Sequence, residues 1–434
     1  MGNSAENQVP DSEGQHLPGS GDSHVPDSGD QHLPGSGGHH VPDPGNNQVP
    51  DLREHLFTQI LPFWERHSID RDHSGFITHL AQDGAVTDPS QKFLVMQTRM
   101  FYSFAAGAAL GGPDDWLILA DQGVRFFLKC FRDVSCDGWH WSVTRRGAPV
   151  DTAKRMYGHA FATYALAEYG RIAADHRALA AAAHTWSLIE EHLWDRTHNG
   201  VIEACDRDWT PTDSSHSMGT HLHALEAVLA LSEAASRDRY WPRARAICDL
   251  IVTHMVEPQH RCGLEKFHPD WSHRADPSPT LVNYGHNLEA AWLLLRVHRA
   301  DGVPAYRDAA RGFLDYVLRF GLDTTHGGVF SHGPLDRPAT QREKIWWVQT
   351  EALPAFLLAY LVFHDRRYWD AFTNVAHFSL RRLHDPQHGE WFHSTEEDGT
   401  PRNRHKGSAW KAAYHITQSL SYSHEYLREI TPPP

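Results

Sequence analysis

Apolar residues recur at helical spacing along almost the whole chain from Leu52 onward. A recurrence at three- and four-residue intervals is typical of helices that bury one face. The pattern therefore predicts an all-α body. The twelve predicted helices cover residues 52–66, 91–111, 115–133, 152–173, 175–194, 216–235, 238–257, 281–301, 304–320, 342–364, 366–384 and 407–429.

Short glycine-bearing segments separate pairs of these helices at a nearly constant interval. They read CDGWHWSV (136–143), THNGVIEA (197–204), RCGLEKF (261–267), HGGVFSH (326–332) and HGEWFHS (388–394). Their glycines, at 138, 200, 263, 328 and 389, are 62, 63, 65 and 61 residues apart. Such a period indicates stacked copies of one unit. Six units of helix, short hairpin and helix predict an (α/α)6 barrel with six inner and six outer helices. An open superhelix of the same units is the alternative.

The beginning of the chain has a different composition. Residues 7–54 repeat an octapeptide, from NQVPDSEG to NQVPDLRE, with one aliphatic residue before each proline. So little apolar surface cannot offset the entropy of ordering a chain. We predict that residues 1–51 form a disordered spacer without a catalytic role, and that residues 52–434 form the catalytic barrel.

Composition narrows the function classes. The chain has 40 basic and 54 acidic side chains, a net charge of −14, which argues against nucleic acid or an anionic membrane as partner. Its 15 tryptophans suit a carbohydrate-binding cleft, although each could be core. Five cysteines without a Cys-x-x-Cys pair, and no signal-peptide pattern, predict a cytoplasmic protein, monomeric or homodimeric.

Polar residues that are unusual on buried helices are concentrated on the even-numbered segments. Six of them follow the repeat at steps of 58, 66, 63, 65 and 64 residues: Arg99, Tyr157, His223, His286, Glu351 and His415. A single buried histidine is commonly a structural group with satisfied hydrogen bonds, and His159 and His221 fit that description. Six coincidences with the repeat indicate instead one site at one mouth of the barrel, next to Trp346, Trp347 and Trp410.

A metal site and the active site of a glycosidase are two alternatives for these residues. His221 and His223 point about 200° apart on a helix, so they cannot share one ion, and no metal or cofactor is predicted. Two carboxylates, such as Glu289 and Glu351, could hydrolyse a glycosidic bond.

The histidines favour a different reaction. Imidazole, with a pKa near neutrality, is the natural base for moving a carbon-bound proton. Two imidazoles on opposite faces of a sugar could remove a proton from one side and return it to the other, which is epimerisation. An arginine would stabilise the developing enediolate oxygen.

The motifs at these residues resemble the N-acylglucosamine 2-epimerase superfamily, which includes cellobiose and mannose 2-epimerases and mannose or sulfoquinovose isomerases. The resemblance covers about 52–429 and rests on Arg99, KRMYGHAFATYALAEY, HLHALEA, GHNLEAAWLL, WWVQTEA and WKAAYH. It implies an (α/α)6 barrel and cofactor-free proton transfer at C2 of an open-chain reducing sugar.

The resemblance also implies roles for single residues. His286 and His415 correspond to the two acid/base groups, Arg99 to the family arginine, and His223 to the histidine linked to ring opening. Glu289 corresponds to the residue that orients His286. The expected substrate-binding set is Tyr157, Trp346, Trp347, Glu351 and Trp410.

Variations within the motifs discriminate among members. WWVQTEA is close to the form found in cellobiose and mannose epimerases, whereas N-acylglucosamine enzymes usually carry Pro-His at Val348 and Gln349. Tyr102 stands where mannose and sulfoquinovose isomerases tend to have histidine. Gly219 stands where cellobiose epimerases often have asparagine. We therefore predict a 2-epimerase of glucose- and mannose-type sugars. The alternatives are an aldose–ketose isomerase, a cellobiose-type epimerase, and a glycosidase or non-catalytic sugar-binding barrel.

Overall fold

The computed structural model describes residues 51–275 and 280–430, so the predicted tail lies outside the described residues except for Asp51. The described residues contain twelve helices, as the periodicity predicted. They are α1 (Leu52–His55, a π-helical turn Leu56–Ile60, then Leu61–His67), α2 (Leu94–Ala109), α3 (Asp114–Cys130), α4 (Met156–Ile172), α5 (His176–His192), α6 (Met218–Ala234), α7 (Arg237–Leu250, then a π-helical turn Ile251–Met255), α8 (Tyr284–Asp301), α9 (Pro304–Phe320), α10 (Trp346–Phe363), α11 (Arg366–Phe378, then a π-helical turn Ser379–Leu383) and α12 (Tyr414–Ile430).

The even-numbered helices form a closed inner ring. Each packs against the next, and α12 packs against α2, so the open superhelix is wrong and the (α/α)6 barrel is confirmed. Each odd-numbered helix packs on the outside of an inner one. Inner helix α6 is buried on all sides, since every residue from 218 to 232 is buried. Such burial explains why α10, which is apolar and long enough to cross a membrane, lies 78% inside the protein.

Small antiparallel sheets connect the helices. Their fifteen strands among the described residues are β1 (His79–Leu80), β2 (Val86–Asp88), β3 (Gln91–Phe93), β4 (Ser142–Thr144), β5 (Pro149–Asp151), β6 (Lys154–Arg155), β7 (Ala204–Cys205), β8 (Pro211–Asp213), β9 (His216–Ser217), β10 (Lys266–Phe267), β11 (Leu281–Asn283), β12 (His332–Pro334), β13 (Lys344–Ile345), β14 (Ser394–Thr395) and β15 (Pro401–Asn403). They pair as β1-β2, β3-β4-β5, β6-β7-β8, β9-β10, β11-β12 and β13-β14-β15. The predicted hairpins are these sheets, at the N-terminal ends of the inner helices.

The sheets also explain why the inner helices begin later than predicted. The residues before α2, for example, form strand β3, which pairs with β4 of the following hairpin. The same happens before α4, α6, α8 and α10, where a strand directly precedes the first helical residue. Backbone groups committed to a strand cannot also start a helix.

The largest difference concerns α12, which begins at Tyr414 rather than at 407. The Ser408 hydroxyl accepts hydrogen bonds from the backbone N–H groups of Trp410 (3.2 Å) and Lys411 (2.9 Å). This local turn competes with helix formation. The prediction that Trp410 lies on a helix is therefore wrong, although Trp410 still reaches the site.

Buried ion pairs recur along the chain together with the repeat. Each joins a lysine in the segment before an inner helix to an aspartate 21 or 22 residues earlier, in the turn that follows the preceding outer helix. They are Lys92–Asp70 (2.9 Å), Lys154–Asp133 (3.0 Å), Lys344–Asp323 (2.7 Å) and Lys406–Asp385 (3.2 Å). Asp70 also accepts two turn N–H groups, which identifies a first hairpin near residue 70 that the glycine pattern did not include.

Candidate active site

The predicted site residues converge at the hairpin end of the inner ring. Arg99, His223, Glu289 and Glu351 are each the sixth residue of their helices. Tyr157, His286 and His415 are second or third in their helices, which is about one helical turn nearer the helix start. The repeat thus places side chains from all six inner helices around one cup.

Three histidines in the cup share one arrangement, in which Nδ1 faces a carboxylate. The pairs are His223 with Glu226 (2.7 Å), His286 with Glu265 (2.7 Å) and His415 with Glu351 (2.8 Å). A carboxylate can only accept, so it favours the tautomer with hydrogen on Nδ1 and leaves the lone pair on Nε2. An imidazole held in this way is ready to act as a general base.

The partner of His286 differs from the prediction. Glu289 was expected to orient His286, but its Oε1 lies 3.6 Å from Nδ1 of His223. The carboxylate that holds His286 belongs to Glu265, which lies in the hairpin before β10. Glu289 lies one helical turn deeper than His286, at the same level as His223. Its side chain therefore faces the neighbouring helix α6. Glu265 was present in the RCGLEKF segment, but only the fold brings it to α8.

His415 is the most constrained histidine. Nη2 of Arg99 lies 3.3 Å from its Nε2, and the same atom donates to the Tyr157 hydroxyl at 2.8 Å. Nη1 of Arg99 donates to the Trp410 carbonyl oxygen. Because a guanidinium only donates, Nε2 of His415 must carry the lone pair. Burial and the charge of Arg99 lower the pKa of His415 well below its usual value.

Glu351 holds His415 from behind rather than lining the cup. Its second oxygen, Oε2, accepts a hydrogen bond from the Trp292 indole at 2.8 Å, and the side chain is buried. Burial and the nearby charge of Glu226 raise the pKa of Glu351 to about 8. Both oxygens of Glu351 are therefore bound to protein groups, and its contact with substrate stays a prediction.

Glu226 is not among the predicted site residues, although it is one of the polar residues of its helix and lies one turn after His223 on α6. Its Oε1 accepts from the Tyr414 hydroxyl (2.8 Å) and from Nε2 of Gln418 (2.7 Å). The i, i+3 spacing to His223 was the available signal. Burial, with the charge of Glu351 next, raises the pKa of Glu289 well above its usual value.

One group in the cup has the composition of a cation site. The possible ligand atoms of His223, Glu226 and Glu289 lie within 4.8 Å of one another. A cation bound there through Nδ1 would replace the His223–Glu226 hydrogen bond.

Aromatic rings form the walls. The Trp347 ring lies 5.1 Å from that of His286 and 6.1 Å from that of His415, so one indole contacts both histidines. The Tyr157 ring lies 4.6 Å from His223 and 5.4 Å from Trp410. Trp346 differs from its neighbours, because it is fully buried and packs against His393.

His159 and His221 have the structural role that was expected of them. Nε2 of His159 accepts from the Trp139 backbone N–H at 3.2 Å, and Nε2 of His221 accepts from that of Val201 at 3.1 Å. Burial lowers the pKa of His159 to about 4 and that of His221 to about 3. Both rings hold hairpins onto inner helices and stay neutral.

Imidazoles, an arginine and aromatic walls in one cup of an (α/α)6 barrel are typical of a carbohydrate-active enzyme. The family model of N-acylglucosamine 2-epimerase (GlcNAc 2-epimerase) matches residues 75–419, and the chain belongs to this family. The resemblance inferred from the motifs is confirmed, and the protein is a carbohydrate epimerase or isomerase.

Individual relatives agree with this assignment. A cellobiose 2-epimerase from Bacteroides fragilis is 29% identical over 385 residues, covering 84% of this chain and 95% of the relative. A D-mannose isomerase from Marinomonas mediterranea is 24% identical over 368 residues, with 82% and 92% covered. The solved structure of a cellobiose 2-epimerase from Spirochaeta thermophila DSM 6192 has a TM-score of 0.82 and 31% identity, with 90% of this chain and 100% of that chain covered.

Proposed function

We propose that the protein is a two-base 2-epimerase that interconverts glucose- and mannose-type reducing sugars. The observation that carries the proposal is the placement of His286 and His415 against the same Trp347 ring, each held by its own carboxylate. Inversion at one carbon requires two independent groups, one that removes the proton and one on the opposite face that returns a proton.

The reaction begins with the open-chain aldehyde. One imidazole Nε2 takes the C2 proton, the C2–H electron pair forms the C1=C2 bond, and the aldehyde oxygen becomes the enediolate oxygen. Arg99 turns from His415 to this oxygen and stabilises its charge. The opposite histidine, which carries a proton at the start of the turnover, then gives that proton to the other face of C2, and the aldehyde forms again with C2 inverted. Proton exchange with solvent resets both histidines. His223, polarised by Glu226, removes the anomeric hydroxyl proton when the ring opens.

An aldose–ketose isomerase is the second candidate, and the D-mannose isomerase relative favours it. It would use the same enediolate but return the proton to C1 through a single base. Two histidines with matched carboxylate partners favour epimerisation over this route. The cellobiose 2-epimerase relatives make a disaccharide a candidate substrate alongside glucose and mannose.

Product identification in D2O tests the proposal. Mannose incubated with the enzyme is expected to give glucose carrying deuterium at C2. Proton NMR measures the loss of the C2–H signal. Fructose as the first product would establish the isomerase instead. Unchanged C2–H signals with mannose, glucose and cellobiose would contradict both.

A further inference from the structure

The aromatic wall of the cup extends outward from Trp410 through Trp141 to the guanidinium of Arg155. The Trp410 ring, which contacts Tyr157, lies 5.8 Å from the ring of Trp141, and the guanidinium carbon of Arg155 lies 4.8 Å above Trp141. Arg155 is thus two ring contacts away from Tyr157. None of the steps at C2 uses Trp141 or Arg155.

The local strand explains why Arg155 faces outward. Lys154 and Arg155 form β6, where successive side chains point to opposite sides. Lys154 is buried in its ion pair with Asp133, at 3.0 Å, so Arg155 projects to the other side of the strand. The side chain of Arg155 keeps 17% of its surface exposed.

The guanidinium is poorly satisfied for a group so enclosed. Among the residues that the structure describes, its hydrogen-bond partner is Asp151, with Nη2 and Oδ2 at 3.4 Å. Its Nε is buried without a partner in the same part of the chain. A guanidinium offers five N–H donors, so most of them remain available to a ligand.

We propose that Arg155, supported by Trp141, binds the second sugar unit of a reducing disaccharide whose first unit reacts at His286 and His415. The inference rests on the proposed 2-epimerase function. A ring entering past Trp410 would present its hydroxyls to the planar N–H edge of Arg155, while stacking on Trp141 holds that edge in place.

The charge at this position selects a neutral sugar. The Asp151 carboxylate already balances the guanidinium, with Oδ2 3.4 Å from Nη2. A phosphate or uronate placed here would meet one positive and one acidic side chain. Hydroxyl groups, which accept from Arg155 without adding charge, suit these surroundings better.

The test compares glucose with cellobiose, because the two differ only by the second unit. Arg155→Ala is expected to lower kcat/KM for cellobiose about tenfold, through the loss of a charged hydrogen bond, and to leave that for glucose within about twofold. Arg155→Lys keeps the charge but lacks the planar N–H edge of the guanidinium. Its kcat/KM for cellobiose is expected to lie between those of the wild type and Arg155→Ala. Trp141→Leu is expected to act like Arg155→Ala, because it removes the support.

Arg243 provides a matched control. It stacks on Trp194 at 4.0 Å and pairs with Glu190 at 3.0 Å, but it lies on outer helix α7. Arg243→Ala is expected to leave kcat/KM unchanged for both sugars. Equal losses for both sugars in Arg155→Ala, or no loss for either, would overturn the inference. So would a wild-type enzyme that epimerises glucose but not cellobiose.

Calorimetric binding separates this inference from the proposed function. If no C2 epimer forms from any sugar, the function fails, but cellobiose titrated into the wild type and Arg155→Ala still reports the outer contact. About tenfold weaker binding to the variant would support the contact, and equal binding would refute it.

Discussion

Nδ1 of His286 and Oε2 of Glu265 lie 2.7 Å apart, although 21 positions separate the two residues along the chain. The backbone carbonyl of Glu265 also accepts from the N–H of Met218, at 2.9 Å. One hairpin residue therefore ties the start of α6 to a proposed base on α8. The orientation of His286 depends on an element outside its own helix.

Glu265→Gln tests this relationship. The amide keeps the size of the side chain but loses the charge that stabilises the imidazolium formed after proton abstraction. We expect kcat to fall about tenfold to hundredfold, with KM and thermal stability nearly unchanged. The control is Glu203→Gln, since Glu203 is one repeat earlier and accepts from the hydroxyls of Ser217 (2.6 Å) and Thr220 (2.8 Å) rather than from a histidine. A variant that keeps kcat within twofold would show that Glu265 is not needed.

Gly219→Ala tests how tightly the ring of His286 is packed. A Cβ atom at this position would lie 2.9 Å from Cε1 and 3.1 Å from Nε2 of His286, so the ring must shift. We expect kcat to fall by up to about hundredfold, as for other small displacements of a reacting group. Gly302→Ala is the control, because nothing lies within 4 Å of that Cβ and its positive φ of 70° affects only stability. Equal kcat values in the two variants would contradict the packing argument.

The fold was largely predictable from the sequence, because long amphipathic helices and a period of about 62 residues are strong signals. The convergence of Arg99, His223 and His415 followed from the same period. The helix starts were not predictable, because strands of two or three residues carry too little alternation to outweigh an adjacent helical pattern. The Glu265–His286 and Glu351–His415 contacts join distant positions, so only packing selects them over a neighbour such as Glu289 on the same helix.

Lys344→Met is expected to destabilise the barrel without touching the cup. The Lys344 ammonium is fully buried, lies 2.7 Å from Asp323 and donates to two backbone carbonyls. Removing it leaves a buried carboxylate without its cation, which typically costs about 3–5 kcal/mol. Urea unfolding followed by circular dichroism measures the effect. Arg125→Ala breaks an exposed pair with Asp121 and is expected to cost less than about 1 kcal/mol. Similar losses in both variants would contradict a structural role for the buried pairs.

His415 is expected to take up a proton at a lower pH than an ordinary histidine does. Burial and Arg99 lower its pKa, so the folded protein keeps His415 neutral at pH 6.5, where an unfolded histidine takes up a proton. Its contribution to stability is therefore present above the unfolded pKa and is lost as pH falls below it. Proton NMR of the imidazole Cε1–H, assigned with His415→Asn, measures the titration. Arg99→Met should move the midpoint upward, and a wild-type midpoint at or above 6.5 would refute the expectation.

Single-histidine variants distinguish two bases from one. In a two-base enzyme each histidine faces one side of C2, so the base that remains can still remove the proton from one epimer and exchange it with solvent. We expect His286→Ala and His415→Ala each to lose net epimerisation, while each exchanges the C2 proton of a different sugar, glucose in one variant and mannose in the other. Proton NMR in D2O, run on each pure sugar, measures net epimerisation and exchange of the C2 proton separately. Tyr102→Phe serves as a control, because Tyr102 packs against the rings of Tyr164 and Tyr414 below the cup and should leave epimerisation intact. If one variant abolishes exchange of both sugars and the other keeps epimerising, a single histidine does the chemistry and the two-base proposal is wrong.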